Sequence, residues 1–406
     1  MPSVSDHGKR VSWVELYFDL IFVFAVGQVA HAIVAEPVWM RVLQALGLFG
    51  ALWWTWIGYA VTFNRYGDHA QVSHRLYVLA GTVPCAIAAT QSHHVFDGHP
   101  AGFALALAGA RLVLAVGAGA ARRVGIGYAG SAVIFVVSVF VPQPWCYVLW
   151  GLALAQEGGF LLLGERRDRV GRWRRSRGDS TQKARVAMVR AMFAPPRDPS
   201  QAVDSAHLAE RFGLFMIILL GELVITVGAA ALDRPDQDLD YWLSLCGGLV
   251  LAAALWWVYF SSAADLNEKL LDISGGNPSL AYSLYAGGHL TPAFALVLVA
   301  AGVGLSLHEE PPSSAPWFIT VGLTIYFGGT RVFSSGSRRW YAVVGRLAAI
   351  AATINLALLA EVVRAPVMVV IAAAWTVVGA VVVSLFRDNA LRRLREDPAA
   401  YFRDAS

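Results

Sequence analysis

The stretch Trp13-Val14-Glu15-Leu16-Tyr17-Phe18-Asp19-Leu20-Ile21-Phe22-Val23-Phe24 runs on to Ala35 without another Asp, Glu, Lys or Arg. That length matches the roughly 20 apolar residues a helix needs to cross the hydrocarbon core of a bilayer. Its apolar residues cover every side and do not alternate, which excludes a strand of a membrane barrel. No cleavage site of small residues follows, so the stretch reads as a retained first helix rather than a secretory leader.

Working outward, eleven more runs have the same character. The twelve lie near 13–35, 39–62, 72–93, 101–121, 124–142, 144–164, 208–231, 240–263, 278–304, 314–333, 340–362 and 366–386. The composition agrees: of 406 residues 57% are hydrophobic and only 15% charged, against about 25% charged in an average soluble domain. The fold class is therefore an all-α membrane protein of about 12 transmembrane helices. Cys85, Cys146 and Cys246 sit far apart inside apolar runs and read as small buried residues, with neither disulfide nor metal spacing.

Lysine and arginine set the orientation, because cytoplasmic loops carry the excess. With the N-terminus inside, 26 of these residues fall in inside segments, and only Arg41, Arg234 and Arg364 fall outside. Asp233, Asp236, Asp238, Asp240, Glu309 and Glu310 collect outside. Both termini are expected in the cytoplasm of a bacterium, with the chain in its inner membrane. One segment, 165–206, is long, polar and Arg-rich, and ends with Pro195, Pro196 and Pro199. Besides the bilayer itself, the expected partner is anionic lipid, against which this basic linker can lie. Nothing points to nucleic acid, and the oligomeric state is open.

The linker separates two halves that resemble each other. Ala51-Leu52-Trp53-Trp54 recurs as Ala254-Leu255-Trp256-Trp257, followed at equal distance by Asn64 and Asn267. Leu76-Tyr77 precedes Pro84 as Leu284-Tyr285 precedes Pro292. Glu15 matches Glu210, and Gly109-Ala110-Arg111 matches Gly329-Thr330-Arg331. Six helices per half is an even number, so the arrangement is two parallel six-helix repeats. The expected organisation is a first half over 1–164, the linker 165–206, a second half over 207–390 and a cytoplasmic tail 391–406.

An ionisable residue within a span is costly and marks a candidate site; the alternative is a buried pair that only joins helices. Glu15 and Asp19 are four apart and share one helix face. Two such carboxylates repel unless a proton or cation lies between them, or an interfacial Arg65 or Arg75 pairs with them. Glu222 lies deep in the seventh run, eleven residues after Arg211 and so about 16 Å from it along a helix. It needs a different partner, a proton or a transported ion. Arg111 and Glu157 are a candidate intramembrane ion pair, with a role that is chiefly structural. His289 stands beside Thr291 and Pro292. Pro84 and Pro292 are candidate helix kinks, since each frees a backbone carbonyl. His93, His94 and His99 with Asp97 lack diagnostic metal spacing, and neither metal nor cofactor is expected. Trp53, Trp54 and Trp56 are explained by aromatic belts.

Gly164-Glu165-Arg166-Arg167-Asp168-Arg169-Val170-Gly171-Arg172 fits the G-x-x-x-D-R-x-G-R loop of major facilitator transporters. It follows the sixth run, however, where that family carries it chiefly between helices 2 and 3, and it falls in an Arg-rich tract. No Walker loop, HExxH or GxSxG occurs, which argues against ATP-driven transport by this chain alone.

The opening stretch, Trp13 to Phe24, resembles that of the bacterial low temperature requirement protein A (LtrA) family. Glu210-Arg211-Phe212-Gly213-Leu214-Phe215 through Leu220-Gly221-Glu222 is similar to the same family's second signature. Tyr17 stands where Phe is more usual. The resemblance implies a multi-pass membrane protein linked to growth in the cold, and carries over no substrate or catalytic residue. Three functions fit: a secondary transporter or ion-coupled permease, favoured by the two halves and the carboxylates; a membrane sensor or scaffold using the basic linker; and an integral-membrane enzyme acting on a lipid or isoprenoid, for which no nucleophile–base pair speaks.

Overall fold

The computed structural model describes residues 11–67, 71–117, 122–159, 195–196, 202–329 and 351–396. These form helices α1 (Trp13–Ala35), α2 (Trp39–Tyr66), α3 (Val72–Phe96), α4 (Ala101–Gly117), α5 (Arg122–Ser138) and α6 (145–159). Then come α7 (Ser205–Asp233), α8 (Leu239–Ile273), α9 (Pro278–Ser306), α10 (Ser314–Gly329), α11 (Ala351–Ala360) and α12 (Ala365–Glu396). No strand occurs among the described residues. Each apolar run meets a helix in its described part. Among the described residues, seven helices are long and apolar enough to cross a membrane: α1, α2, α3, α7, α9, α8 over Leu239–Ser261 and α12 over Ala365–Val382. The basic linker from 166 to 194, the loop fitting the transporter motif and the tail beyond 396 lie outside the described residues.

Local chemistry starts and stops the helices. Ser12 and Glu15 form a capping box at α1: the Ser12 amide and Oγ both donate to Glu15 Oε2 at 2.9 Å. Asp204 caps α7 by accepting from the His207 amide at 3.0 Å, and Asp238 caps α8 by accepting from the Tyr241 amide at 2.8 Å. Asn277 caps α9, taking the Ser279 and Leu280 amides, with Pro278 in the first turn. Between α8 and this cap the chain turns through Gly275 and Gly276 at φ +64° and +69°, a left-handed region that suits glycine.

The helices gather into two compact units. The first comprises Met1–Gln28, Gly47–Phe212 and Glu268–Gly287; the second Val29–Leu46, Gly213–Asn267 and Gly288–Ser406, each so far as its residues are described. In the first, α4 packs against α3 and α5. Gly109 permits a close approach there, since a Cβ on it would sit 3.3 Å from Pro84 Cβ. Tyr59 of α2 donates its hydroxyl to Ala110 O at 2.9 Å. In the second unit α10 packs closely on α9. A Cβ on Gly302 would meet Ile319 at 2.8 Å, and one on Gly322 would meet Val299 at 2.6 Å. Small residues at such contacts let helix backbones approach where lipid supplies no hydrophobic drive. Gly329 likewise faces Pro292, and Tyr326 donates to Leu255 O at 2.8 Å.

Pro84 and Pro292 both lie inside helices. α9 carries a π-helical turn, Tyr282–Gly287, just before Pro292. Such turns arise where an α-helical bond is lost and another residue is accommodated. Leu20, Phe24, Val83, Leu112, Ile217, Ile225, Leu249 and Val378 point outward and are exposed. An apolar exterior of this kind suits lipid as the solvent. Cys85 and Cys146 are buried as expected, whereas Cys246 is on the exposed side; a thiol facing lipid needs no polar partner.

Candidate ion-binding site

Glu15 and Asp19 sit one turn apart on the inward face of α1, both wholly buried. The guanidinium of Arg211, from the first turns of α7, lies across them. Its Nη1 donates to Glu15 Oε1 and its Nη2 to Asp19 Oδ1, each at 3.0 Å. Sequence suggested Arg65 or Arg75 as the cation for this pair; the structure puts Arg211 across both carboxylates. The planar fork presents a separate N–H donor to each of the two carboxylates.

Aromatic rings close the site. Trp56 of α2 donates its Nε1 to Asp19 Oδ1 at 2.7 Å, and the rings of Trp56 and Phe18 lie 5.7 and 6.0 Å from Arg211 Cζ. These distances are in cation–π range. Phe212 packs on Trp56 and Tyr285, and Trp53 donates to Ala286 O at 2.9 Å. Trp53 and Trp56 are therefore parts of the interior, not interfacial anchors.

His207 and Asn64 complete the polar set. His207 Nε2 lies 3.3 Å from the Glu15 carboxylate, and its Nδ1 lies 2.9 Å from Asn64 Nδ2. Asn64 also clasps the backbone of Asp204: Nδ2 donates to Asp204 O, and Oδ1 accepts from the Asp204 amide, both at 3.0 Å. Two polar atoms at the centre, Asp19 Oδ2 and Arg211 Nε, have no hydrogen-bond partner among the described residues.

Arg111 and Glu157 form a second buried set in the same unit. Arg111 Nε donates to Glu157 Oε1 at 3.0 Å and Nη1 to Thr55 Oγ1 at 2.6 Å, over the face of Phe135. Thr55 and Trp56 are consecutive, so α2 touches both charged sets.

Glu222 and His289 belong to the second unit. Glu222 is buried and accepts from Thr226 at 3.2 Å, one turn on in α7. That hydroxyl is its one hydrogen-bond partner among the described residues. His289 Nε2 lies 2.9 Å from the Tyr259 hydroxyl. His93 and Asp97 approach to 3.6 Å at the exposed end of α3. No group of three or more His, Cys, Asp or Glu that could hold a metal occurs among the described residues.

Sequence reasoning missed His207 and the part played by Arg211, Trp56 and Asn64. Arg211 stood inside the second signature, but was weighed only against Glu222 of its own helix. The family described as "Bacterial low temperature requirement A protein (LtrA)" matches residues 10–384. The chain is also similar to an uncharacterized protein of Rhizobium meliloti (strain 1021), 25% identical over 312 residues, covering 73% of this chain and 70% of that one. No solved structure matches.

Proposed function

The chain belongs to the bacterial low temperature requirement A family, and from that premise we propose that it is a secondary transporter or ion-coupled permease whose ion site is the Glu15–Asp19–Arg211 cluster. The observation that carries this reading is a wholly buried guanidinium shared by two carboxylates inside apolar helices, one carboxylate oxygen having no partner among the described residues. Charge placed so deep is costly, and it persists where it serves a pathway. Glu222 is the second carboxylate available to the ion, and Arg111 with Glu157 holds α4 to α6. The substrate is left open by this chemistry.

The finer architecture belongs to the same proposal: about twelve spans in the bacterial inner membrane, both termini inside, as two parallel halves over 1–164 and 207–390, with the linker 165–206 on anionic lipid. Paired contacts support the two halves. Gly109 faces Pro84 in one and Gly329 faces Pro292 in the other. A tyrosine hydroxyl joins the second and fourth helices of each, through Tyr59 and Tyr326.

The test is a flux assay in proteoliposomes, scanning ions and small solutes under imposed gradients, with Asp19→Asn and Glu222→Gln as controls. Gradient-driven flux that both substitutions impair is the expected result. No flux under any gradient, or flux indifferent to both, overturns the reading.

A further inference from the structure

After the linker the chain re-enters the bundle through Ala202-Val203-Asp204, the three residues before α7. This stretch is tied down on two sides, all within the first unit. On one side the Val203 amide donates to Gly276 O at 2.9 Å, and the valine is buried. So close an approach needs a residue without a side chain at 276, where a Cβ would collide with the Val203 carbonyl oxygen. A Cβ on Gly275 would sit 2.9 Å from that of Pro195, earlier in the linker. On the other side Asn64, in the last turn of α2, holds the Asp204 amide and carbonyl, each at 3.0 Å. A side-chain amide offers both a donor and an acceptor, so it can pair with both backbone groups of one residue.

The stretch passes over the end of the unit where the ion site is shallowest. Glu15 is the third residue of α1 and His207 the third of α7. Charged and polar side chains in a first helical turn are ordinarily within reach of water. Both are wholly buried, as are Asp19 and Arg211 behind them. The Asn64 nitrogen that donates to Asp204 O also lies 2.9 Å from His207 Nδ1, and His207 Nε2 lies 3.3 Å from Glu15. Polar contacts therefore run without a break from residues 202–204, through Asn64 and His207, to Glu15, Arg211 and Asp19.

We infer that residues 202–204 are a strap closing this end of the Glu15–Asp19–Arg211 site, with Asn64 as the residue that positions it, and that the ion passes when the strap lifts. The ion's passage rests on the permease reading; the closure rests on the packing alone. The fastening suits a part that has to open. Three hydrogen bonds join the strap to the elements on either side of it, and each is of modest net worth because water replaces it on release. Asp204 is also the cap of α7, accepting from the His207 amide. A strap that lifts thus loosens the turn that carries His207.

The test is reaction of the full chain in lipid vesicles with diethyl pyrocarbonate, a reagent for accessible imidazoles, read at each histidine by mass spectrometry. In the parent, His207 should react as slowly as buried His289 and far more slowly than exposed His93. Asn64→Ala removes two of the three bonds, which shifts the opening equilibrium by about tenfold or more, and His207 should react faster by that factor. Gly276→Ala should do likewise from the far side: its added Cβ meets Val203 first, so its effect on His207 passes through the strap. His289, in the second unit, should stay protected in both and reports that the variant is folded. His207 as reactive as His93 in the parent, or still protected in folded Gly276→Ala, overturns the strap. Should Gly276→Ala lose protection at His289, Asn64→Ala, judged by the same two histidines, decides instead. Flux in the same vesicles separates the two readings. Gradient-driven flux with His207 shut in both variants keeps the permease and overturns the strap; a strap that opens without any flux keeps the closure and overturns the permease.

Discussion

Two buried carboxylate regions of this protein are built on different terms. In the first unit Glu15 and Asp19 are crossed by Arg211, flanked by His207 and lidded by Trp56. In the second, Glu222 has the hydroxyl of Thr226 and no cation within ion-pair reach among the described residues. The same residue type is thus embedded in a charged lattice in one place and in a nearly neutral setting in the other. Stability and ion binding should separate accordingly: the first region bears both, the second can lose its charge with little structural consequence.

The largest effect expected is from Arg211→Gln. Removing one partner from a buried ion set leaves uncompensated charge, and we predict a loss of about 3–5 kcal/mol, read from thermal or denaturant unfolding in detergent. Adding Glu15→Gln to that variant should restore part of the loss. Glu157→Gln comes next, at about 3 kcal/mol, because it strands the Arg111 cation. A parent-like midpoint there would show that Arg111 finds a substitute acceptor. Trp56→Phe keeps the ring and removes one donor to Asp19, so about 1 kcal/mol is expected; a parent-like midpoint would show that the indole bond contributes nothing. Glu222→Gln should be the mildest, about 0.5 kcal/mol or less, since glutamine still accepts from Thr226. A collapse of the fold on that change would sink the contrast between the regions, while normal stability with lost flux would sharpen it.

Much of this was legible in the chain itself. Apolar runs located the helices, because in lipid a segment can satisfy its own backbone only as a helix, and these runs lack the alternation of a barrel strand. The four-residue spacing put Glu15 and Asp19 on one face, and the isolation of Arg111 and Glu157 in apolar runs pointed to their pairing. The cation between Glu15 and Asp19 was not legible: Arg211 is about two hundred positions away, and only packing of α7 beside α1 reveals it. Asn64 was noticed as half of a repeated pattern, but its clasp on Asp204 depends on the chain's return after the linker. His207 stands one residue before its apolar run, where nothing in the sequence singles it out, and is wholly buried.

One feature of α2 has a mechanical consequence. Thr55 and Trp56 are neighbours, so their side chains leave the helix at azimuths about 100° apart, one bonded to Arg111 of α4 and the other to Asp19 of α1. A cylinder pinned at two azimuths cannot spin on its axis without tearing one pin out. Any rearrangement that keeps both bonds must therefore carry the stretches of α1, α2 and α4 around Asp19, Thr55, Trp56 and Arg111 together, and twisting that part of α2 alone breaks one of the bonds.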